Sequence, residues 1–157
     1  MSPTLTATCI DRVRPGAGDE YMHAKAYLFE GLHDPARQRA VVNLDDEAAQ
    51  AMAEAADEVP LVTYSFSNPD ADVRATSVKF SIWETELTIE TPLGILKIVT
   101  PLIGRPNVYN ILACVAACIS IDVDLKVVAA ALENAEVRSP TIAALSARFS
   151  VHGTLHS

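Results

Sequence analysis

Nowhere in the 157 residues does an uninterrupted apolar run approach the roughly 20 that a membrane-spanning helix needs, so the sequence offers no candidate span. Basic residues are also few. Twelve Lys and Arg stand against 20 Asp and Glu, a formal charge of −8, whereas a surface that tracks a phosphate backbone needs clustered Lys and Arg. Broad nucleic-acid binding is thereby excluded; local nucleotide binding stays open. Three cysteines give no disulfide framework. Cys114 and Cys118 lie four apart in an apolar helical pattern and read as small core hydrophobes, with no histidine completing a zinc-type spacing around them. Unpaired thiols of this kind fit a reducing compartment. Met1-Ser2-Pro3-Thr4-Leu5-Thr6-Ala7-Thr8 has neither the apolar core of a secretory signal nor a basic amphipathic presequence.

What is present is apolar substance. Hydrophobic residues make up 50% of the chain, which excludes a mainly disordered polymer, and a domain of this length can bury roughly 70% of its unfolded surface around one core. Tyr21, Met22, Tyr27, Leu28, Phe29 and Leu32 recur at helical spacing, which predicts a helix over 19–32 with Asp19 as cap and Gly31 and Pro35 at its exit. Ala40-Val41-Val42-Asn43-Leu44 suits a buried parallel strand, Asp45-Asp46 open an Ala-rich helix over about 47–58, and Leu61-Val62-Thr63-Tyr64 is the next strand. That succession is a βαβ unit. After Ser65-Phe66-Ser67-Asn68-Pro69-Asp70 the residues become β-branched and aromatic, and strands are expected over 73–79, 80–91 and 95–99 with Pro92-Leu93-Gly94 as a turn. Two helices should follow, 107–119 and 125–132, with Asp124 capping the second. Residues 138–149 could form a short helix, and 138–157 reads as a loosely held tail.

The most informative stretch is Gly104-Arg105-Pro106-Asn107-Val108-Tyr109-Asn110, running into Ile111-Leu112-Ala113. Asn107 and Asn110 are three apart at the start of an apolar helix, so their amides lie on neighbouring points of one face, and each offers the donors and acceptor that a purine edge asks for. Asn near a helix start also serves as a cap for orphan N–H groups.

Taken together with Glu20-Tyr21-Met22-His23-Ala24-Lys25-Ala26-Tyr27-Leu28-Phe29 and Val41-Val42-Asn43-Leu44-Asp45-Asp46, that stretch resembles the central ATP-binding domain of the Mur ligases, nearest to their MurE branch. The resemblance spans about Tyr21 to Val137. It implies an α/β fold: part of a three-layer central domain with a βαβ parallel-sheet portion, an antiparallel strand group and C-terminal helices. Residues 1–18 are then a divergent leading segment, 19–137 the partial domain and 138–157 a divergent tail. It also implies ATP and magnesium as cofactors, and UDP-muramoyl dipeptide as substrate only in a complete parent protein. Lys25 stands where the family carries a lysine that is carbamylated and helps hold magnesium, an anionic oxygen being the ligand a hard cation prefers. Arg105, Asn107 and Asn110 match the family's adenine-side residues. Asn43 and Asp45 match its Asn-x-Asp-Asp at the carboxyl end of a strand, where ligands of open α/β sheets gather; Asp45 and Asp46 would serve equally as helix cap and first-turn anions.

Departures from the pattern shape the functional expectation. The run Thr8-Cys9-Ile10-Asp11-Arg12-Val13-Arg14 lacks the family's metal-site histidine, leaving Asp11 as the one residue there that could face a cation beside two repelling arginines. Pro106 replaces the usual His or Phe, removing a ring, so adenine affinity is expected to fall. Gly16 and Gly18 are followed by Asp19 and Glu20 instead of the Lys and Ser/Thr of a phosphate-cradling loop, and Arg138-Ser139-Pro140 stands where Gly-Arg-x-Glu is expected. The expectation is a truncated MurE-like acid–amino-acid ligase, not competent for catalysis alone, in cytoplasm or plastid stroma. The alternatives are a non-enzymatic interaction domain, as in plastid MurE-like proteins, whose strand region Phe80–Leu87 resembles, and a folylpolyglutamate synthase-like ligase fragment.

Overall fold

Two short apolar strands, β1 (Ala40–Asn43) and β2 (Leu61–Ser65), lie parallel, with Ala40 opposite Leu61 and Asn43 opposite Tyr64, in a computed structural model that describes residues 25–135. Helix α1 is described over 25–30, and α2 (Ala49–Ala55) joins β1 to β2, completing the expected strand–helix–strand unit. A strand covered on both faces needs apolar side chains on both. β1 has them: Val41 packs into a core built around a later helix, whereas Ala40 and Val42 pack with Phe29, Leu32, Met52 and Val59 on the opposite side. The sheet is therefore the middle of three layers here. Asp19, Tyr21, Asp11 and the segment 138–157 lie outside the described residues.

α2 is shorter than the expected 47–58. The Asp46 carboxylate accepts from Ala48 N at 2.8 Å and the Asp46 carbonyl from Ala49 N at 3.0 Å, so the chain closes a side-chain turn before helix begins. Past Ala55 it unwinds through short backbone bonds from Ala56 to Ala53 and from Val59 to Ala56.

β3 (Val73–Phe80) pairs with β2 at two positions only, Tyr64 opposite Val73 and Ser65 opposite Arg74, and in parallel. It begins where β2 ends and continues in the same direction. That offset explains why the loop 66–72 suffices, although fully overlapping parallel neighbours need a crossover of a dozen or more residues. β4 (Thr85–Thr91) and β5 (Gly94–Thr100) then pair antiparallel, so the meander β3–β4–β5 extends past the carboxyl edge of β1 and β2. The expected strand over 80–91 divides. Phe80 ends β3, and Ser81 closes a tight turn by accepting from Glu84 N at 2.9 Å and Trp83 N at 3.1 Å, overriding the strand preference of Ile82 and Trp83. The Pro92-Leu93 turn is as expected, with Thr91 paired to Gly94.

Gly104 has φ 95, a region that costs other residues a clash, and turns the chain into α3 (Arg105–Ser120), where Pro106 fits the first turn because its N–H has no helical partner to lose. Val108, Ile111, Leu112 and Val115, at helical spacing, bury against Val41, Tyr64, Val73, Leu87 and Ile89. Cys114 falls on the outer face and is exposed, contrary to the core role expected for it; Cys118 is half-buried, and burial followed by the neighbouring Cys114 pushes its thiol up to about 11. α4 (Leu125–Glu133) starts as expected at Asp124, whose side chain accepts from Lys126 N at 2.7 Å, and is tied to β5 by a buried bond of 2.7 Å from Thr100 Oγ1 to the Leu132 carbonyl.

Leu112 is fully buried at the centre of this core. Leu112→Ala should lower the urea-unfolding free energy by about 2–5 kcal/mol, whereas Leu93→Ala, at a turn position that is 60% exposed, should stay within about 0.5 kcal/mol of the parent.

Candidate functional site

The carboxyl ends of β1 and β2 and the start of α3 meet at one side chain, Asp45. Its Oδ1 accepts from Ser65 Oγ at 2.6 Å and Ser67 Oγ at 3.1 Å, and its Oδ2 from Phe66 N at 2.7 Å and Tyr109 Oη at 3.1 Å. An ionised carboxylate has about four lone-pair sites, so these donors saturate it. Burial alone would raise the Asp45 pKa, yet the bonds from Ser65, Phe66, Ser67 and Tyr109 together win and hold it below the ordinary carboxylate value. Across the link, partial burial and the Asp45 charge push the Tyr109 hydroxyl up, against an opposing pull from Arg105.

Neighbouring residues of the loop are held by local bonds. Asn43 Oδ1 accepts from Asp45 N at 3.1 Å, a side-chain turn that steers the chain out of β1. Asp46 Oδ2 accepts from Lys25 Nζ at 3.4 Å, with side-chain exposures of 13% and 6%. Lysine is almost never buried this deeply without a polar partner, and an isolated helical lysine ordinarily faces solvent. Lys25 on α1 is thus drawn inward beside the Asp-Asp loop.

On α3 the sequence-expected residues fall into two groups. The Arg105 guanidinium lies 4.8 Å from the centroid of Phe66 and 6.0 Å from that of Tyr109, and those rings are 5.8 Å apart, a cation resting on two aromatic faces. Asn107 does not cap the helix by accepting an N–H. Its Nδ2 donates to the Ile103 carbonyl at 2.8 Å, and Asn110 Nδ2 reaches Asn107 Oδ1 at 3.4 Å. The pair is joined edge to edge on an accessible part of α3. Among the described contacts, Arg105 belongs to the Asp45 assembly through Tyr109, while Asn107 and Asn110 are connected to it only along the helix. Ser65, Phe66, Ser67 and Tyr109 were missed as site residues. The signal was the run Ser-Phe-Ser-Asn-Pro directly after a strand; nothing local pairs Asp45 with Tyr109, 64 positions away.

A magnesium ion can be tested against these donors. As an ammonium, Lys25 repels a cation; as a carbamate it would set anionic oxygen beside the Asp46 carboxylate. Magnesium keeps several waters and takes one or two carboxylates plus substrate phosphates, so Lys25 in that form together with Asp46 fits such a partial shell, while the saturated Asp45 does not. Among the described residues no group of three or more His, Cys, Asp or Glu converges, so a closed protein cage is not available there.

A parallel βαβ unit with convergent polar side chains at its carboxyl edge defines an α/β ligand-binding domain. Residues 11–118 match the Mur ligase middle domain, and the chain belongs to the Mur ligase family. It is 43% identical over 119 residues to the chloroplastic MurE homolog of Oryza sativa subsp. japonica, covering 75% of this chain and 16% of that protein. Against the UDP-N-acetylmuramoyl-L-alanyl-D-glutamate–2,6-diaminopimelate ligase of Bacillus licheniformis it is 35% identical over 121 residues, covering 74% of this chain and 24% of that one. The chain therefore spans about a quarter or less of these relatives. In fold it is similar to MurF from Acinetobacter baumannii, with TM-score 0.69, 24% identity and coverage of 83% and 27% of the two chains. It is also similar to the folylpolyglutamate synthase of Mycobacterium tuberculosis complexed with ADP, with TM-score 0.60, 17% identity and coverage of 82% and 29%.

Because the folded-state pKa of Asp45 is lowered, its stabilising contribution is complete above the ordinary carboxylate range and is lost as pH falls through the lowered value. Asp45→Asn should therefore be less stable than the parent at neutral pH and show a shallower loss of stability in acid, measured by urea unfolding across that range.

Proposed function

We propose that this chain supplies the nucleotide-facing part of the middle domain of a MurE-type ATP-dependent acid–amino-acid ligase. The observation that supports this reading is Lys25: it matches the family's metal-site lysine by resemblance, and it is only 5% exposed and ion-paired with Asp46 instead of facing solvent. Arg105, Asn107 and Asn110 form the nucleotide side of the site, with the two amides presenting donors and an acceptor to the adenine edge. Asn43 and Asp45 shape the loop between them. Carbamylated Lys25 and Asp46 would hold a magnesium ion, which would supply charge neutralisation for phosphoryl transfer. In a complete parent protein ATP would phosphorylate the carboxylate of UDP-muramoyl dipeptide, and the amine of an incoming amino acid would attack the acyl phosphate. The 157 residues contain no Gly-Lys-Thr/Ser loop to anchor a triphosphate, so this chain alone binds nucleotide weakly and does not turn over. A cytoplasmic or plastid-stromal setting accords with this role.

A second reading, an interaction domain without catalysis, is favoured by the tip of the β3–β4 hairpin, where Phe80, Ile82 and Trp83 are 50%, 78% and 76% exposed. Calorimetric titration with ATP and magnesium separates the two. Saturable binding that Asn107→Ala and Asn110→Ala each weaken by about tenfold supports the ligase reading. No heat at millimolar ATP overturns it in favour of the interaction domain.

A further inference from the structure

Asp45 stands in the Asn-x-Asp-Asp run at the carboxyl edge, the place from which a carboxylate would be expected to reach a ligand. The residue is exposed, but a ligand there would compete with four protein donors for its oxygens. Both oxygens are bonded by protein donors: the hydroxyl of Ser65 at the end of β2, the Ser67 hydroxyl and the Phe66 backbone N–H of the loop that follows, and the phenol of Tyr109. A ligand or cation could use Asp45 only by displacing one of these bonds, each of which is charge-assisted and stronger than a neutral one.

The four bonds are not equivalent. Those from Ser65, Phe66 and Ser67 close the loop between β2 and β3, within 22 positions of Asp45, and would hold that loop without α3. The bond from Tyr109 spans 64 positions and ties the second turn of α3 to the strand end. Arg105, one turn earlier on the same face, rests on Phe66 and Tyr109, so the guanidinium is seated on rings that the Asp45 bonds hold in place: Phe66 through its backbone N–H, Tyr109 through its hydroxyl. Asn107 and Asn110 lie between and beside these anchors on the same two turns.

We propose that Asp45 is a positioning residue: through Tyr109 it fixes the first two turns of α3, and with them Arg105, Asn107 and Asn110, against the carboxyl edge of the parallel strands, and it touches no ligand itself. What is positioned rests on the nucleotide reading above; the link does not. A role confined to stability would shift the unfolding midpoint and leave the affinity of the folded protein unchanged. Positioning instead weakens the affinity of the folded protein as well, whatever the change in midpoint.

The experiment compares the parent chain with Tyr109→Phe, Asp45→Asn and the double variant by amide hydrogen exchange and by calorimetry with ATP and magnesium. Tyr109→Phe keeps the ring under Arg105 and removes only the hydroxyl. Exchange at residues 108–111 should quicken about three- to tenfold in Tyr109→Phe, with the β3–β4 hairpin amides unchanged, and the ATP dissociation constant should rise by a similar factor. The double variant should bind no more weakly than Asp45→Asn, since both remove the same link. Unchanged exchange at 108–111 in Tyr109→Phe overturns the proposal, as does an unchanged dissociation constant in a parent chain that binds ATP. If the parent binds no ATP, the nucleotide reading falls by itself, and exchange at 108–111 still decides whether the link holds α3.

Discussion

One carboxylate gathers the working end of this molecule. Three pieces of chain arrive there from different parts of the sequence: the end of β1, the loop after β2 and the second turn of α3. The first carries Asp45 itself, and the other two present hydrogen-bond donors to it. A charged acceptor with four donors is stabilised more than any one of its partners could manage, and the depressed pKa records the sum. The parallel strands bring Asp45 to the edge, and the buried face of α3, through Val108, Ile111, Leu112 and Val115, brings Tyr109 within reach. Packing supplies the approach and the carboxylate supplies the orientation.

Beside that assembly the charges are arranged in opposition. Lys25 is drawn in against Asp46, and Arg105 is seated on the Phe66 and Tyr109 rings. Two cationic side chains thus flank an acidic loop in a chain whose overall charge is −8. The chain belongs to the Mur ligase family and spans about a quarter or less of the length of the relatives it matches.

Sequence reasoning was strongest where a periodic pattern and a cap agreed. α3 and α4 were legible within two residues, because Gly104, Pro106 and Asp124 punctuate long apolar runs. The β1–α2–β2 unit was legible for the same reason. It failed at Ser81–Glu84, where Ile82 and Trp83 argue for strand and a serine hydroxyl closes a turn, and at α2, where Asp46 diverts the chain for one turn before helix. At the site, family resemblance pointed to Lys25, Asn43, Asp45, Arg105, Asn107 and Asn110, but not to how they are bonded. The burial of Lys25 and the saturation of Asp45 depend on residues 20 to 64 positions away, and no local pattern encodes such contacts.

The separation of those contacts bears on the order in which the molecule assembles. Bringing together points 64 residues apart costs more chain entropy than forming the β3–β4 hairpin or a turn of α3, and a single hydrogen bond repays little of it. The Tyr109–Asp45 bond therefore forms after α3 has docked on the sheet. It is a latch that closes on the native side of the folding barrier, so breaking it should hasten unfolding and leave the folding rate almost untouched, a φ-value near zero at Tyr109.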